Sequence, residues 1–370
     1  MLGPVDLGRR AGDAVANVAT RARNGVDYVR GTDICDLCST PLDDVWTSGK
    51  VRLRRVRSDR VTVKKPLLIV HSLISKPYIF DLLPGNSVLE WLRDHGHDAY
   101  LLDWGETDET DVANDLATYV DDYLRRAVGA VAEVSAASEV ALLGYCFGGV
   151  LTLYALATDD RLPVRDVALV ATPVDFRAIP ALCRATVRSG LETGHMTDST
   201  GNIPAGVFRW AFRVLRPTND VAAFATLLDR LDDREYVRNH HALNRWTGDQ
   251  IPFPGALARE MLPVARDNAL LAGVGQVSGR PVNFAAVKAR VLAFMAKRDH
   301  LVPHPSAKPI DRLLPNADVE TFEIDSGHVA LFIGARAQTQ TLPALHEWLT
   351  GDGKRARKEE RDGRATAPHP

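Results

Sequence analysis

The stretch Ala141-Leu142-Leu143-Gly144-Tyr145-Cys146-Phe147-Gly148-Gly149-Val150-Leu151-Thr152-Leu153-Tyr154-Ala155 reads as an apolar strand, a glycine-flanked turn with a cysteine at its apex, and an apolar helix. A nucleophile on a sharp strand-to-helix turn needs small residues two positions to either side, because bulkier ones clash across the bend. Gly144 and Gly148 occupy those positions, and Gly149 lets the helix lie close to the strand it leaves. Where the commoner motif has serine, this chain has Cys146. The first helical turn offers unpaired N–H groups that favour a thiolate. For a cysteine taken alone, a buried and inert side chain is the plain alternative; the glycine pattern favours the nucleophile.

Around this elbow lie 370 residues, enough for one large core or two smaller ones. Apolar content of 45% and charged content of 25% are those of a globular protein, and a formal net charge of -2 implies no attraction to nucleic acid or acidic lipid. Met1 to Arg30 scatters Arg9, Arg10, Asp13, Arg21, Arg23 and Asp27 among small residues, so it lacks the apolar core of a signal peptide. No run reaches the roughly eighteen apolar residues that span a bilayer, so a cytoplasmic protein without a transmembrane segment is expected. Four cysteines in so long a chain make no disulfide framework, and a reducing compartment leaves Cys146 free to react. Cys35 and Cys38 form one CxxC with no second pair or histidine set nearby, the pattern of a surface loop; no metal is expected.

Residues 1–50 read as a lead-in, with a weakly amphipathic helix over Val15 to Val29. Pro66 to His71 is a short apolar run typical of a strand buried on both faces, and the loop His71 to Tyr78 follows it. Ser87-Val88-Leu89-Glu90 has the form of a capping box, and Gly96 stands where the short helix after it should end. Asp98 to Asp103 reads as the next strand. From Asn114 to Ser135, the spacing of Leu116, Tyr119, Val120, Tyr123, Leu124, Val128 and Val131 predicts a helix with one buried face. Further strands are expected at Asp166 to Ala171, Arg290 to Met295 and Asp318 to Ile324, and a closing helix through Leu345 and Trp348. Strands alternating with helices predict an α/β fold with a mostly parallel sheet covered by helices. The rhythm breaks over about 176–287, where aromatic and proline-rich pieces predict a largely helical lid inserted into a catalytic domain of residues 51–350. Residues 351–370, highly charged and without apolar periodicity, read as a disordered tail.

A thiol attacks as a thiolate, so Cys146 needs a base, and the base needs an orienting carboxylate. In α/β-hydrolases the acid follows the nucleophile and the histidine comes last. Asp299 lies just past the strand ending near Met295, and His328 follows the next strand, so all three residues fall at the carboxyl ends of strands, where sites in open parallel sheets gather. His300, adjacent to Asp299, is a rival base whose position makes an Asp-His-Cys relay hard to build, and His71 is a lesser rival. For the oxyanion hole, the backbone N–H of Phe147 is one candidate donor and that of Ile74, in the loop after Val70, is the second. Attack by a thiol on an acyl-CoA thioester makes another thioester and keeps the acyl group activated for a later alcohol. The cysteine therefore suits an acyltransferase better than a hydrolase.

The chain resembles the polyhydroxyalkanoate synthases of the α/β-hydrolase superfamily. The resemblance rests on Lys76-Pro77-Tyr78-Ile79-Phe80-Asp81-Leu82-Leu83-Pro84-Gly85, Tyr100 to Gly105, Gly144-Tyr145-Cys146-Phe147-Gly148-Gly149, Ala171 to Phe176, Asp299-His300-Leu301-Val302-Pro303 and Ser326-Gly327-His328, in order from about residue 40 to 350. Trp246, Asp249 and Pro254-Gly255 resemble the family's lid segment. It implies polymerisation of (R)-3-hydroxyacyl-CoA into a polyester with release of CoA and no further cofactor. Cys146 would hold the acyl chain, His328 would activate thiol and hydroxyl, and Asp299 would support His328. The short lead-in resembles the class III or IV catalytic subunits, which implies a second synthase subunit or a homodimer as partner and work at the polyester granule surface. His71-Ser72 departs from the family's usual oxyanion loop, and Phe147 stands where class III often has glutamine. Two other readings remain open here: a dienelactone-hydrolase-like cysteine hydrolase, which shares the elbow but is too compact for the 153 positions (299 minus 146) between Cys146 and Asp299, and an inactive granule-associated relative.

Overall fold

Apolar runs without polar alternation suit strands buried on both faces. In the computed structural model, which describes residues 4–193, 196–215 and 219–351, such runs form the centre of an eight-stranded sheet. In chain order the elements are helix α1 (Pro4–Arg30), strands β1 (Leu42–Ser48), β2 (Val51–Val56) and β3 (Val63–Val70), helix α2 (Val88–Asp94), strand β4 (His97–Asp103), helix α3 (Arg126–Ser135), strand β5 (Val140–Tyr145), helix α4 (Phe147–Thr158) and strand β6 (Val164–Val170). Helices α5 (Ala181–Thr193), α6 (Ala205–Val214), α7 (Asn219–Asp229), α8 (Arg234–Gly248) and α9 (Gly255–Asp267) follow, then β7 (Arg290–Ala296), β8 (Asp318–Ile324) and α10 (Leu342–Thr350). Across the sheet the order is β1-β2-β4-β3-β5-β6-β7-β8. β2 is antiparallel to both neighbours, and every pairing from β4 to β8 is parallel.

The period-2 geometry of the strands divides the core. Leu68, Val70, Leu102 and Leu142 pack on one face, and Leu67, Ile69, Leu101 and Leu143 on the other. The expected capping residue is present: Ser87 Oγ accepts the Glu90 N–H at 3.0 Å, but the Glu90 carboxylate takes the Gly85 N–H at 2.6 Å instead of reaching back to Ser87. Gly96 follows α2 with φ +74°, the left-handed conformation glycine adopts without steric cost. The helix expected over 114–135 is wound as π-helix over Thr118–Arg125 before α3 begins. Its wider turn carries Tyr123 to the edge of the buried face, half-buried, while Tyr119, Val120 and Leu124 stay inside.

The lead-in differs from its sequence reading. Its last segment is β1, an edge strand with alternating polar residues whose backbone pairs with β2, a hairpin that apolar content alone does not reveal. Its helix is longer than Val15 to Val29 and lies against the inserted helices: Asn24 donates to Leu231 O at 2.7 Å, and Tyr28 meets His240 at 3.3 Å. The expected tail lies outside the described residues from 352 onward. Among the described residues, no helix is long and apolar enough to cross a membrane.

One buried carboxylate ties three strands at the amino ends of the sheet. Asp166 of β6 receives Arg290 of β7, its partner in register, at 2.7 Å and Lys65 of β3 at 2.6 Å. Its side chain is 4% exposed, while those of the two cations are 30% and 28% exposed. Replacing Asp166 by Ala leaves Arg290 without a carboxylate and Lys65 with only the half-exposed Glu139, 2.9 Å away, so urea unfolding should show a loss of about 2 kcal/mol. A loss under about 0.5 kcal/mol, the range of ordinary surface changes, would contradict this role.

Candidate active site

At the carboxyl end of β5 the chain turns into α4 through Cys146, whose backbone sits at φ 54° and ψ -120°. A non-glycine residue there is strained by about 1–3 kcal/mol and persists only where its surroundings force it. The forcing contacts are visible at the glycines. A Cβ on Gly148 would lie 2.1 Å from Val70 O and 2.5 Å from His71 O. On Gly144 it would meet the Cα of Gly149 at 2.6 Å, and on Gly149 the Thr172 hydroxyl at 2.0 Å. The elbow is pressed against β3 on one side and the end of β6 on the other. Hydrogen bonds from Cys146 N to Val170 O, 2.9 Å, and from Gly149 N to Cys146 O, 3.0 Å, hold the turn.

Asp299 and His328 meet beside it. The Asp299 carboxylate is buried and fully used: Oδ1 accepts the N–H groups of Leu301 and Val302 at 2.8 and 2.9 Å, and Oδ2 pairs with His328 Nδ1 at 2.7 Å. With Nδ1 so engaged, Nε2 is the nitrogen left for Cys146, whose sulfur helps hold the proton on the ring. Burial disfavours a charged imidazole, but the Asp299 carboxylate and the Cys146 sulfur outweigh it, and His328 is pushed up to about 10. The ring of Tyr145 lies 5.1 Å from that of His328 and is braced edge-on by Phe332.

The rival bases are elsewhere. His300 is exposed to solvent. His71 is buried near Trp104, its ring 6.2 Å from the indole, and burial, opposed only in part by Asp103, drives it down to about 4. Its carbonyl accepts the Trp104 indole N–H at 3.0 Å, which fixes the start of the loop that carries Ile74. Phe147 is the first residue of α4, where a backbone N–H has no helical acceptor. Ile74 lines the same cavity as Cys146, and its carbonyl accepts the Ile251 N–H at 3.2 Å.

That cavity, about 360 Å³, lies between the carboxyl ends of the central strands and the inserted helices. Its upper wall includes Phe208 and Phe212 of α6 and Leu243 and Trp246 of α8. Phe208 and Phe212 belong to the aromatic stretch that marks the insertion in the sequence, and Trp246 stands in the segment that resembles the family's lid, but nothing local in the sequence directs these side chains at Cys146. Trp246 donates its indole N–H to Lys76 O at 2.9 Å, and Asp249 meets Tyr78 OH at 3.3 Å and Lys76 Nζ at 3.1 Å. A Cβ on Gly255 would lie 2.0 Å from Gly201 O. The inserted segment thus clamps the loop that carries Ile74. Cys35 and Cys38 are exposed between α1 and β1, and no metal-binding group of three or more His, Cys, Asp or Glu occurs among the described residues.

His328 binds its proton more tightly folded than unfolded, where its value is near 6.5, so its contribution to stability is full below about 6.5 and is lost as pH rises through about 10. The thermal midpoint of the wild-type chain should therefore fall more steeply between pH 7 and 10 than that of Asp299→Asn. Parallel curves for the two proteins would show that Asp299 does not hold the proton on His328.

A family model described as alpha/beta hydrolase fold matches residues 65–335. Two solved structures share the architecture at 14% identity and a TM-score of 0.50: a lipase-esterase related protein of Clostridium acetobutylicum, covering 82% of this chain and 99% of that one, and a monoacylglycerol lipase of Paleococcus ferrophilus, covering 81% and 98%. Curated relatives share more sequence. The poly(3-hydroxyalkanoate) polymerase subunit PhaC of Haloferax mediterranei is 30% identical over 93% of this chain and 71% of its own length. That of Allochromatium vinosum is 29% identical over 88% of this chain and 92% of its own length. An α/β-hydrolase sheet together with this extended similarity makes the chain a member of the poly(3-hydroxyalkanoate) polymerase family.

Proposed function

We propose that this acyltransferase polymerises (R)-3-hydroxyacyl-CoA with Cys146 as the covalent carrier of the chain, His328 as the proton carrier and Asp299 as the group that orients and charges His328. The single observation that supports the carrier role is the Cys146 side chain, held at a strained elbow in the same cavity as a buried His328 whose Nδ1 is 2.7 Å from Asp299. In the first transfer the Cys146 sulfur, its own proton passed to His328, attacks the thioester carbonyl, the bond to the CoA sulfur breaks, and the departing thiolate takes that proton from His328. In the second, His328 removes the proton of an incoming 3-hydroxyl, whose oxygen forms an ester bond as the bond to Cys146 breaks. The backbone N–H groups of Phe147 and Ile74 stabilise the oxyanion formed at each step. No cofactor takes part, since the thioester supplies the transfer potential. The granule surface and a second synthase subunit or second copy are the partners that go with this reading.

A cysteine hydrolase of esters or thioesters would use the same three groups with water as the second acceptor. The apolar cavity wall of Phe208, Phe212 and Leu243 favours an acyl acceptor over bulk water. An idle relative has no need of a buried Asp299–His328–Cys146 contact.

The test uses the chain isolated with whatever it carries from its own cells, given (R)-3-hydroxybutyryl-CoA. Release of CoA together with polymer is expected, and Cys146→Ala should reduce both by at least about a thousandfold, the scale seen when a nucleophile is removed. Release of CoA with only free hydroxy acid would overturn the polymerase reading in favour of hydrolysis.

A further inference from the structure

The cavity above Cys146 has one charged rim. Of its described lining residues only Arg213 and Asn244 are exposed, so the mouth opens between α6 and α8. Among the described residues Arg213 is also the only lysine or arginine lining the cavity, and no Asp or Glu lines it. One turn earlier on the same helix stands Arg209, also exposed. Neither arginine has an ion-pair partner among the described residues, and α6 itself (Ala-Gly-Val-Phe-Arg-Trp-Ala-Phe-Arg-Val) contains no carboxylate. Like charges four residues apart on a helix repel, so the pair is unfavourable until an anion joins it. Between them, three residues before Arg213, Trp210 is 50% exposed, an unusual position for so large an aromatic side chain.

We propose that Arg209, Trp210 and Arg213 form the recognition site for the nucleotide head of the CoA substrate. The inference rests on the acyl-CoA reading above and adds the residues that read its carrier. CoA joins a thiol to a neutral, flexible arm that ends in a pyrophosphate and a 3′-phosphorylated adenosine. A neutral arm suits the wall between the catalytic groups and the rim, where no described lining residue is Lys, Arg, Asp or Glu, and the phosphates suit paired guanidinium groups, which bind them through charge-assisted hydrogen bonds. An exposed indole beside them offers a face on which adenine stacks. The site therefore selects the CoA-borne form of the acyl group over the same acyl group on a shorter thiol. It also holds the leaving group during the first transfer and keeps nothing of the growing chain, which carries no nucleotide once it is on Cys146.

The experiment compares (R)-3-hydroxybutyryl-CoA with (R)-3-hydroxybutyryl-pantetheine, which lacks every phosphate and the adenine. The ratio of their kcat/KM values should fall about tenfold in Arg213→Ala and in Trp210→Ala, through KM for the CoA thioester, and Arg213→Lys and Trp210→Phe should restore part of it. Binding of adenosine 3′,5′-bisphosphate, followed by calorimetry, should weaken in the same two alanine variants. A ratio unchanged by either alanine substitution, or a loss equal for both thioesters, overturns the assignment while CoA release by the wild-type chain stands. A wild-type chain that binds the bisphosphate through Arg213 and Trp210 yet releases no CoA overturns the polymerase reading and keeps the nucleotide site.

Discussion

The site depends on one strained residue. Cys146 occupies a backbone conformation that costs an L-residue about 1–3 kcal/mol, and it stays there because the glycines around it leave no room for another path. β5 lies between β3 and β6, so the turn that leaves it is gripped from both sides: Gly148 abuts Val70 and His71, and Gly149 abuts Thr172. These contacts set the thiol at the amino end of α4. The same close packing that creates the strain also removes the alternatives that would relieve it.

From that fixed point the other groups follow. Asp299 spends one oxygen on two backbone N–H groups of its own turn and the other on His328, so neither the carboxylate nor the imidazole is free to rotate. A buried imidazole between a carboxylate and a sulfur keeps its proton, and that proton is what a departing thiolate needs. The inserted helices do more than roof the cavity. Through Trp246 to Lys76 and Ile251 to Ile74 they grip the loop that carries the second candidate oxyanion donor. The placement of the inserted helices and the geometry at Ile74 are therefore linked.

Much of this is legible in residue types and spacing, because the central strands and the elbow answer to local rules. Apolar runs announce β3, β5, β6 and β7, Ser87 announces α2, and the order Cys146, Asp299, His328 after β5, β7 and β8 anticipates the pairing of Asp299 with His328 beside the elbow. What escapes is whatever depends on distant partners. β1 pairs through its backbone, is broken by a bulge between Asp44 and Trp46 and buries none of its side chains fully, so its place in the sheet leaves little trace in composition. The π-wound turn before α3 keeps the apolar spacing and shifts only Tyr123. Phe208, Phe212 and Leu243 face Cys146 only because α6 and α8 fold back over the sheet. No periodicity within either helix encodes that return.

The central claim is that the acyl chain rides on Cys146. The most direct measurement is mass spectrometry of the protein quenched in acid during turnover of (R)-3-hydroxybutyryl-CoA, followed by peptide mapping. The account predicts hydroxybutyryl units, singly and in series, on the peptide that contains Cys146, removable by hydroxylamine as a thioester should be and missing from Cys146→Ala. Turnover with an unmodified Cys146 peptide, or with acyl groups on another residue, would contradict it.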